Sequence, residues 1–200
     1  MTPTAAIYGN SQAGGTGAIV EDALQAAGWK VTRWFQNGAK AGTIVAKALS
    51  NLPGPSVVVM FAGDATQEQM AVVKQAVGNG RLVWVANPPA TKIANLPLAR
   101  SVFGKHVTNE EYWLTSGVGA DRENDARRAK RAADDLDIAF VDPRVLAYPA
   151  QPDGIHATGE TARRWAGLVV DAVEGRSGSP WGWLALGAGV AAVTKALRLW

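Results

Sequence analysis

Two hundred residues are enough for one domain with a sizeable core, and a composition 48% hydrophobic and 18% charged excludes a disordered chain. Twenty basic residues against 17 acidic leave a net charge of +3, too slight an excess to argue for a nucleic-acid partner. With no cysteine there is neither a disulfide framework nor a thiolate metal site.

Residues 1–8 (MTPTAAIY) lack a basic n-region and a long apolar stretch, so no Sec-type signal peptide is expected. Localisation stays open; action outside the cytoplasm would require lysis, a particle or another export route. Ala5–Tyr8 reads as a short buried strand, and Gly15–Gly28 as a helix with Ile19, Ala23, Leu24 and Ala27 on one face. Lys30–Phe35 is a second strand and Gly42–Leu52 a helix. Ser56–Ala62, rich in β-branched residues, is a strand that ends at Gly63. Thr66–Val77 is helical, and Arg81–Ala86 is a strand stopped by Asn87-Pro88-Pro89. Asn95–Gly119, with Phe103, Tyr112 and Trp113, reads as a pocket-forming loop that shapes specificity. Ala120–Leu136 follows as a long helix. The run from Asp121 to Asp137 mixes six acids with five bases, the pattern of a solvated helix face. Ile138–Val141 is a strand and Thr158–Glu174 a final helix.

Strands separated by helices imply crossovers, hence an α/β fold with a mostly parallel central sheet covered on both faces, a three-layer α/β/α sandwich. In such sheets functional groups sit beyond the carboxyl ends of the strands, where Ser11, Gly63 and Asn87 all fall. The expected organisation is a domain over residues 1–174, a Gly/Ser linker over 175–180 and an apolar C-terminal helix over 181–200. That last segment carries fourteen charge-free residues from Trp181 to Thr194, then Lys195, Arg198 and Trp200. Small residues four apart (Ala185/Gly189, Gly187/Ala191, Ala188/Ala192) would let helices pack closely. Three readings stay open for it: a helix docking on a protein partner or on further copies of the chain, a membrane anchor, and an extra core helix.

Ser11 follows the first strand in Gly9-Asn10-Ser11, where the plain reading is a turn with a helix cap. Gly9 to Thr16 nearly fits the phosphate-loop pattern, but Gly15 stands where its lysine should be, and that cation is what meets the β- and γ-phosphates. The G-x-S-x-G elbow fits poorly, because Ala13 holds its last position. Asp153 and His156, three apart, offer a carboxylate that can orient an imidazole, and an imidazole is what activates a serine hydroxyl. The only other histidine, His106, has no carboxylate closer in sequence than Glu110 and reads as an ordinary loop residue.

At these residues the chain resembles the SGNH hydrolases, the GDSL esterase/lipase superfamily, over roughly residues 5–173. Pro152 to Ala166 (PDGIHATGETARRWA) is similar to that family's Asp-x-x-His block, and Gly9-Asn10-Ser11 to its nucleophile block. Asn37 to Thr43 fits the block whose glycine N–H joins the oxyanion hole, with Gly42 the better match and Gly38 one bend earlier. The Asn124–Asp142 stretch is similar to the penultimate helix–strand unit. The resemblance implies an SGNH/flavodoxin-like fold and a serine esterase: Ser11 as nucleophile, His156 as base, Asp153 orienting it, and Ser11 and Gly42 N–H groups on the oxyanion. No metal or organic cofactor is required. The expected substrate is a small ester or acetylated cell-wall or capsule carbohydrate, and a place in a bacteriophage virion would suit a chain of this kind. One block departs from the family: in Gly63-Asp64-Ala65, Ala65 stands where the family has an asparagine whose amide donates to the oxyanion. Asn87, at the end of the next strand, is the expected substitute. The rival expectation is an SGNH module with weak or no activity and an assembly role in a particle or membrane complex.

Overall fold

The computed structural model describes residues 2–52, 54 and 56–176. The expected helix at 181–200, and with it the docking, oligomer and membrane readings, lies outside the described residues. Among those described, no helix is long and apolar enough to cross a membrane.

In chain order the elements are β1 (Thr4–Gly9), α1 (Ser11–Ala26), β2 (Lys30–Phe35), α2 (Ala41–Leu49), β3 (Val57–Phe61), α3 (Gln67–Val77), β4 (Arg81–Val85), α4 (Leu96–Phe103), α5 (Tyr112–Thr115), α6 (Val118–Asp135), β5 (Ala139–Val141) and α7 (Gly159–Glu174). The five strands pair in the order β2-β1-β3-β4-β5, every pair parallel. Side chains alternate across the sheet with the period of two that strand geometry imposes. Ala5, Ile7, Val57, Val59, Phe61, Val83 and Val85 face α1 and α7. Ala6, Tyr8, Val58, Met60, Leu82 and Trp84 face the other way, onto α2, α3 and α6. Two apolar layers thus sandwich a sheet buried on both faces, which is why the strands read as nearly unbroken apolar runs.

Two expectations need correction. Helix α1 starts at Ser11, four residues before the glycine-rich pattern suggested. Asn10 caps it by accepting the Gln12 N–H at 3.0 Å, so the first turn forms although Gly14, Gly15 and Gly17 each cost about 1 kcal/mol relative to alanine. Packing accounts for Gly14: a β-carbon there would stand 2.9 Å from the Phe35 ring. The second correction is the stretch 95–119, which is not one loop but is interrupted by α4 and α5. Asn95 accepts the Leu98 N–H at 3.1 Å and Pro97 sits in the first turn, so α4 has a proper start. With α5 it closes a third apolar cluster of Ile93, Ala99, Val107, Trp113 and Ile155 over the carboxyl end of the sheet.

The order β2-β1-β3 makes the β1/β3 boundary the topological switch point, where consecutive crossovers leave to opposite sides and open a crevice. Gly9 pairs with Phe61 and Phe61 with Val85. Two residues past each of these, side by side at the sheet's carboxyl edge, come Ser11, Gly63 and Asn87.

Candidate active site

Ser11 is the first helical residue of α1, so its hydroxyl stands at the switch point on a rigid element. The Asp153–His156 turn comes to it from the chain entering α7. His156 Nε2 lies 2.7 Å from Ser11 Oγ, and His156 Nδ1 lies 2.6 Å from Asp153 Oδ2. The other Asp153 oxygen accepts the Ile155 and His156 N–H groups at 3.0 and 2.8 Å. Burial pushes the Asp153 carboxyl up, but His156 and the two backbone donors outweigh it and hold it below the usual carboxylate range. An ionised Asp153 only accepts, so Nδ1 carries the imidazole proton. Nε2 then presents its lone pair, and Ser11 Oγ–H donates to it. That is the arrangement in which a hydroxyl can be activated for attack.

Residues outside the sequence motif hold this turn in place. Trp113, 5% exposed, donates its Nε1–H to the Asp153 carbonyl at 2.6 Å. Gly154 turns with φ +77°, and a β-carbon on it would meet the Trp113 ring at 2.4 Å, so glycine is required twice over. Buried Gln151 accepts the Thr158 N–H at 3.0 Å and so satisfies the start of α7. The Phe103 ring lies parallel to the His156 ring, 5° between planes and 6.1 Å between centroids. Trp113 was expected to shape a pocket; it is an internal strut instead. Its signal in sequence was only that of an apolar aromatic, because its partner is a backbone carbonyl forty residues away.

The N–H groups of Ser11 and Gly42 belong to the first turns of α1 and α2, whose leading donors have no intrahelical acceptor. Lys40, at the N-cap of α2, makes no side-chain cap; Asp64 reaches across from the turn after β3 to accept the Ala41 N–H at 3.4 Å. The turn holding Gly63 is thereby tied to the helix start holding Gly42. Ala65 is 1% exposed and packed in the core layer, so no amide is offered from that position. Asn87 is half-buried beside Gly63. His106 is exposed, edge-on to Tyr112 at 5.7 Å, and takes no part. A hollow of about 510 Å³ lined by Ala90, Thr91, Leu114 and Tyr148 holds none of Ser11, Asp153 and His156, so hydrogen-bond geometry rather than concavity marks this site. Among the described residues no cluster of His, Asp and Glu is arranged to hold a metal.

Solved structures share this architecture. A carbohydrate acetylesterase of Sinorhizobium meliloti superposes with a TM-score of 0.60 at 16% identity, covering 87% of this chain and 99% of its own. An aryl esterase of M. smegmatis gives 0.59 at 13%, covering 87% and 99%. An SGNH hydrolase candidate of Slackia heliotrinireducens gives 0.58 at 16%, covering 86% and 99%. The fold is that of the SGNH hydrolases. No protein-family model matches the sequence, and no curated protein does.

Proposed function

We propose that the protein is a serine esterase that hydrolyses carboxylic esters through an acyl-enzyme. The observation that carries this reading is the unbroken chain from Ser11 Oγ through the His156 imidazole to Asp153, with links of 2.7 and 2.6 Å. Ser11 Oγ attacks the acyl carbon while His156 Nε2 takes its proton. The imidazolium is stabilised by Asp153 and returns that proton to the departing alcohol oxygen. Water, deprotonated by the same imidazole, then adds to the acyl-enzyme, and the acid leaves as Ser11 is reprotonated. In both steps the negative charge forms on the acyl oxygen, where the Ser11 and Gly42 N–H groups donate.

Acetyl esters on carbohydrate are the substrate class we carry forward, with cell-wall or capsule polysaccharide as the form a viral particle would meet. Carbohydrate acetylesterases stand among the structures that share this fold, which supports the choice. Turnover of p-nitrophenyl acetate and covalent labelling by a fluorophosphonate, each compared with Ser11→Ala, test the reaction. Equal rates and equal absence of label would overturn the esterase and leave the assembly role. Acetate release from an acetylated polysaccharide tests the substrate class separately.

A further inference from the structure

The oxyanion formed at Ser11 has two backbone donors, and the turn after β3 supplies no third. We infer that Asn87, carried on the next strand, is a third oxyanion donor, and that Gly63 is the gap through which its amide leans toward the nucleophile. This rests on the esterase reading above.

Register places the groups. Ser11, Gly63 and Asn87 each stand two residues beyond mutually paired positions of β1, β3 and β4. Neighbouring strands lie ~4.8 Å apart, so Ser11 and Asn87 are roughly 10 Å apart at the backbone, with Gly63 between them. The Asn87 side chain enters that interval beside Gly63. A β-carbon on Gly63 would stand 2.6 Å from Asn87 Cγ and 2.8 Å from Nδ2, so the amide occupies the space that any other residue at 63 would fill. It therefore leans from β4 toward β3, the side on which Ser11 lies.

Rigidity favours the same assignment, because a donor stabilises a transition state only when it is held in advance. The Ala86 N–H is bonded to Val141 O at 3.0 Å on one side of Asn87. On the other, Arg122 from α6 donates to Pro88 O at 2.8 Å. Below, the buried Trp84 Nε1–H holds Ala62 O at 2.9 Å, fixing the approach to Gly63. The Asn87 amide itself enters no hydrogen bond with the described residues and is half-exposed, so it is free to donate to a substrate oxygen. Two nearby side chains are spoken for. Asp64 is a carboxylate engaged with the Ala41 N–H, and Gln12 donates to Ile155 O. The Gln69 oxygen is committed to the capping box of α3, but its Nε2 would stand 3.5 Å from a β-carbon on Gly42 and makes no hydrogen bond with the described residues, so Gln69 is the rival donor that the test must include.

The test is steady-state hydrolysis of p-nitrophenyl acetate by the full chain and by Asn87→Ala, Asn87→Asp, Gln69→Ala and Ser11→Ala. Asn87→Ala is expected to lower kcat by ~10²–10³-fold with KM nearly unchanged, the signature of a contact made in the transition state. Asn87→Asp keeps the size, removes the donor and adds a charge that repels the oxyanion, so it is expected to lose at least as much. Both should keep the wild-type melting temperature, and Gln69→Ala should keep the wild-type kcat. If Asn87→Ala retains wild-type kcat while Ser11→Ala is inactive, or if the loss falls on Gln69→Ala, the inference is overturned and the esterase reading stands. Wild type no faster than Ser11→Ala would remove both.

Discussion

The two halves of the site are held by different means. On the acid–base side, Asp153 and His156 lie three residues apart on one turn, and four hydrogen bonds join Asp153, Ile155, His156 and Ser11. On the proposed oxyanion side the groups come from separate strand ends: Ser11 after β1, Gly42 after β2 and Asn87 after β4, with Gly63 after β3 between them. Adjacent ends are joined by hydrogen bonds between flanking residues: Gln36 N–H to Gly9 O at 3.1 Å, Asn10 N–H to Phe61 O at 3.4 Å and Ala41 N–H to Asp64 at 3.4 Å. The first half is a local motif wired by directional bonds. The second is an assembly whose geometry is inherited from sheet register. Damage to the first should therefore abolish chemistry, whereas damage to the second should grade it.

That contrast breaks if the ranking of variants fails. Ser11→Ala should remove the nucleophile and lower kcat by about 10⁶-fold, to background, as measured against p-nitrophenyl acetate. Asp153→Asn keeps the shape but invites the wrong imidazole tautomer, for an expected loss of about 10⁴-fold. Gly154→Ala forces a β-carbon into the Trp113 ring at a positive φ. The turn must shift, and a displacement of about 1 Å at His156 would cost about 10²-fold in kcat, with a lower melting temperature. Trp113→Phe removes the donor to Asp153 O and should cost about 1–3 kcal/mol of stability in urea unfolding, with a smaller effect on rate than Gly154→Ala.

The smallest effect is a pH dependence. The Asp153 carboxyl is held below its ordinary value of about 3.9 in the folded protein, so the unfolded chain binds its proton first as the pH falls. Its contribution to stability is complete above that value and is lost as the pH drops through the lower folded one. The difference in unfolding free energy between wild type and Asp153→Asn should thus shrink as the pH falls below about 4. A difference that grows with acidity would show that the carboxylate is not the stabilised form.

Where sequence reasoning misplaced an element, a longer-range contact had decided the outcome. Apolar spacing started the first helix at Gly15, but the Asn10 cap begins it at Ser11, where the Phe35 ring fills the space beside Gly14. The stretch 95–119 looked like a loop because α4 and α5 are short. It is ordered by burial of Trp113 and Ile93 against Ile155, residues that meet only once the Asp153 turn is in place.

By itself the sequence determined the alternation of apolar strands and amphipathic helices, and the Asp-x-x-His turn, because strand period, helix period and a three-residue spacing are properties of neighbours along the chain. Only the tertiary structure decided that Ser11 meets His156 across 145 residues, and that Asn87 lies over Gly63 instead of hanging free. The physical reason is that parallel register, set by burial of both sheet faces, brings distant strand ends side by side, and no local pattern encodes that distance.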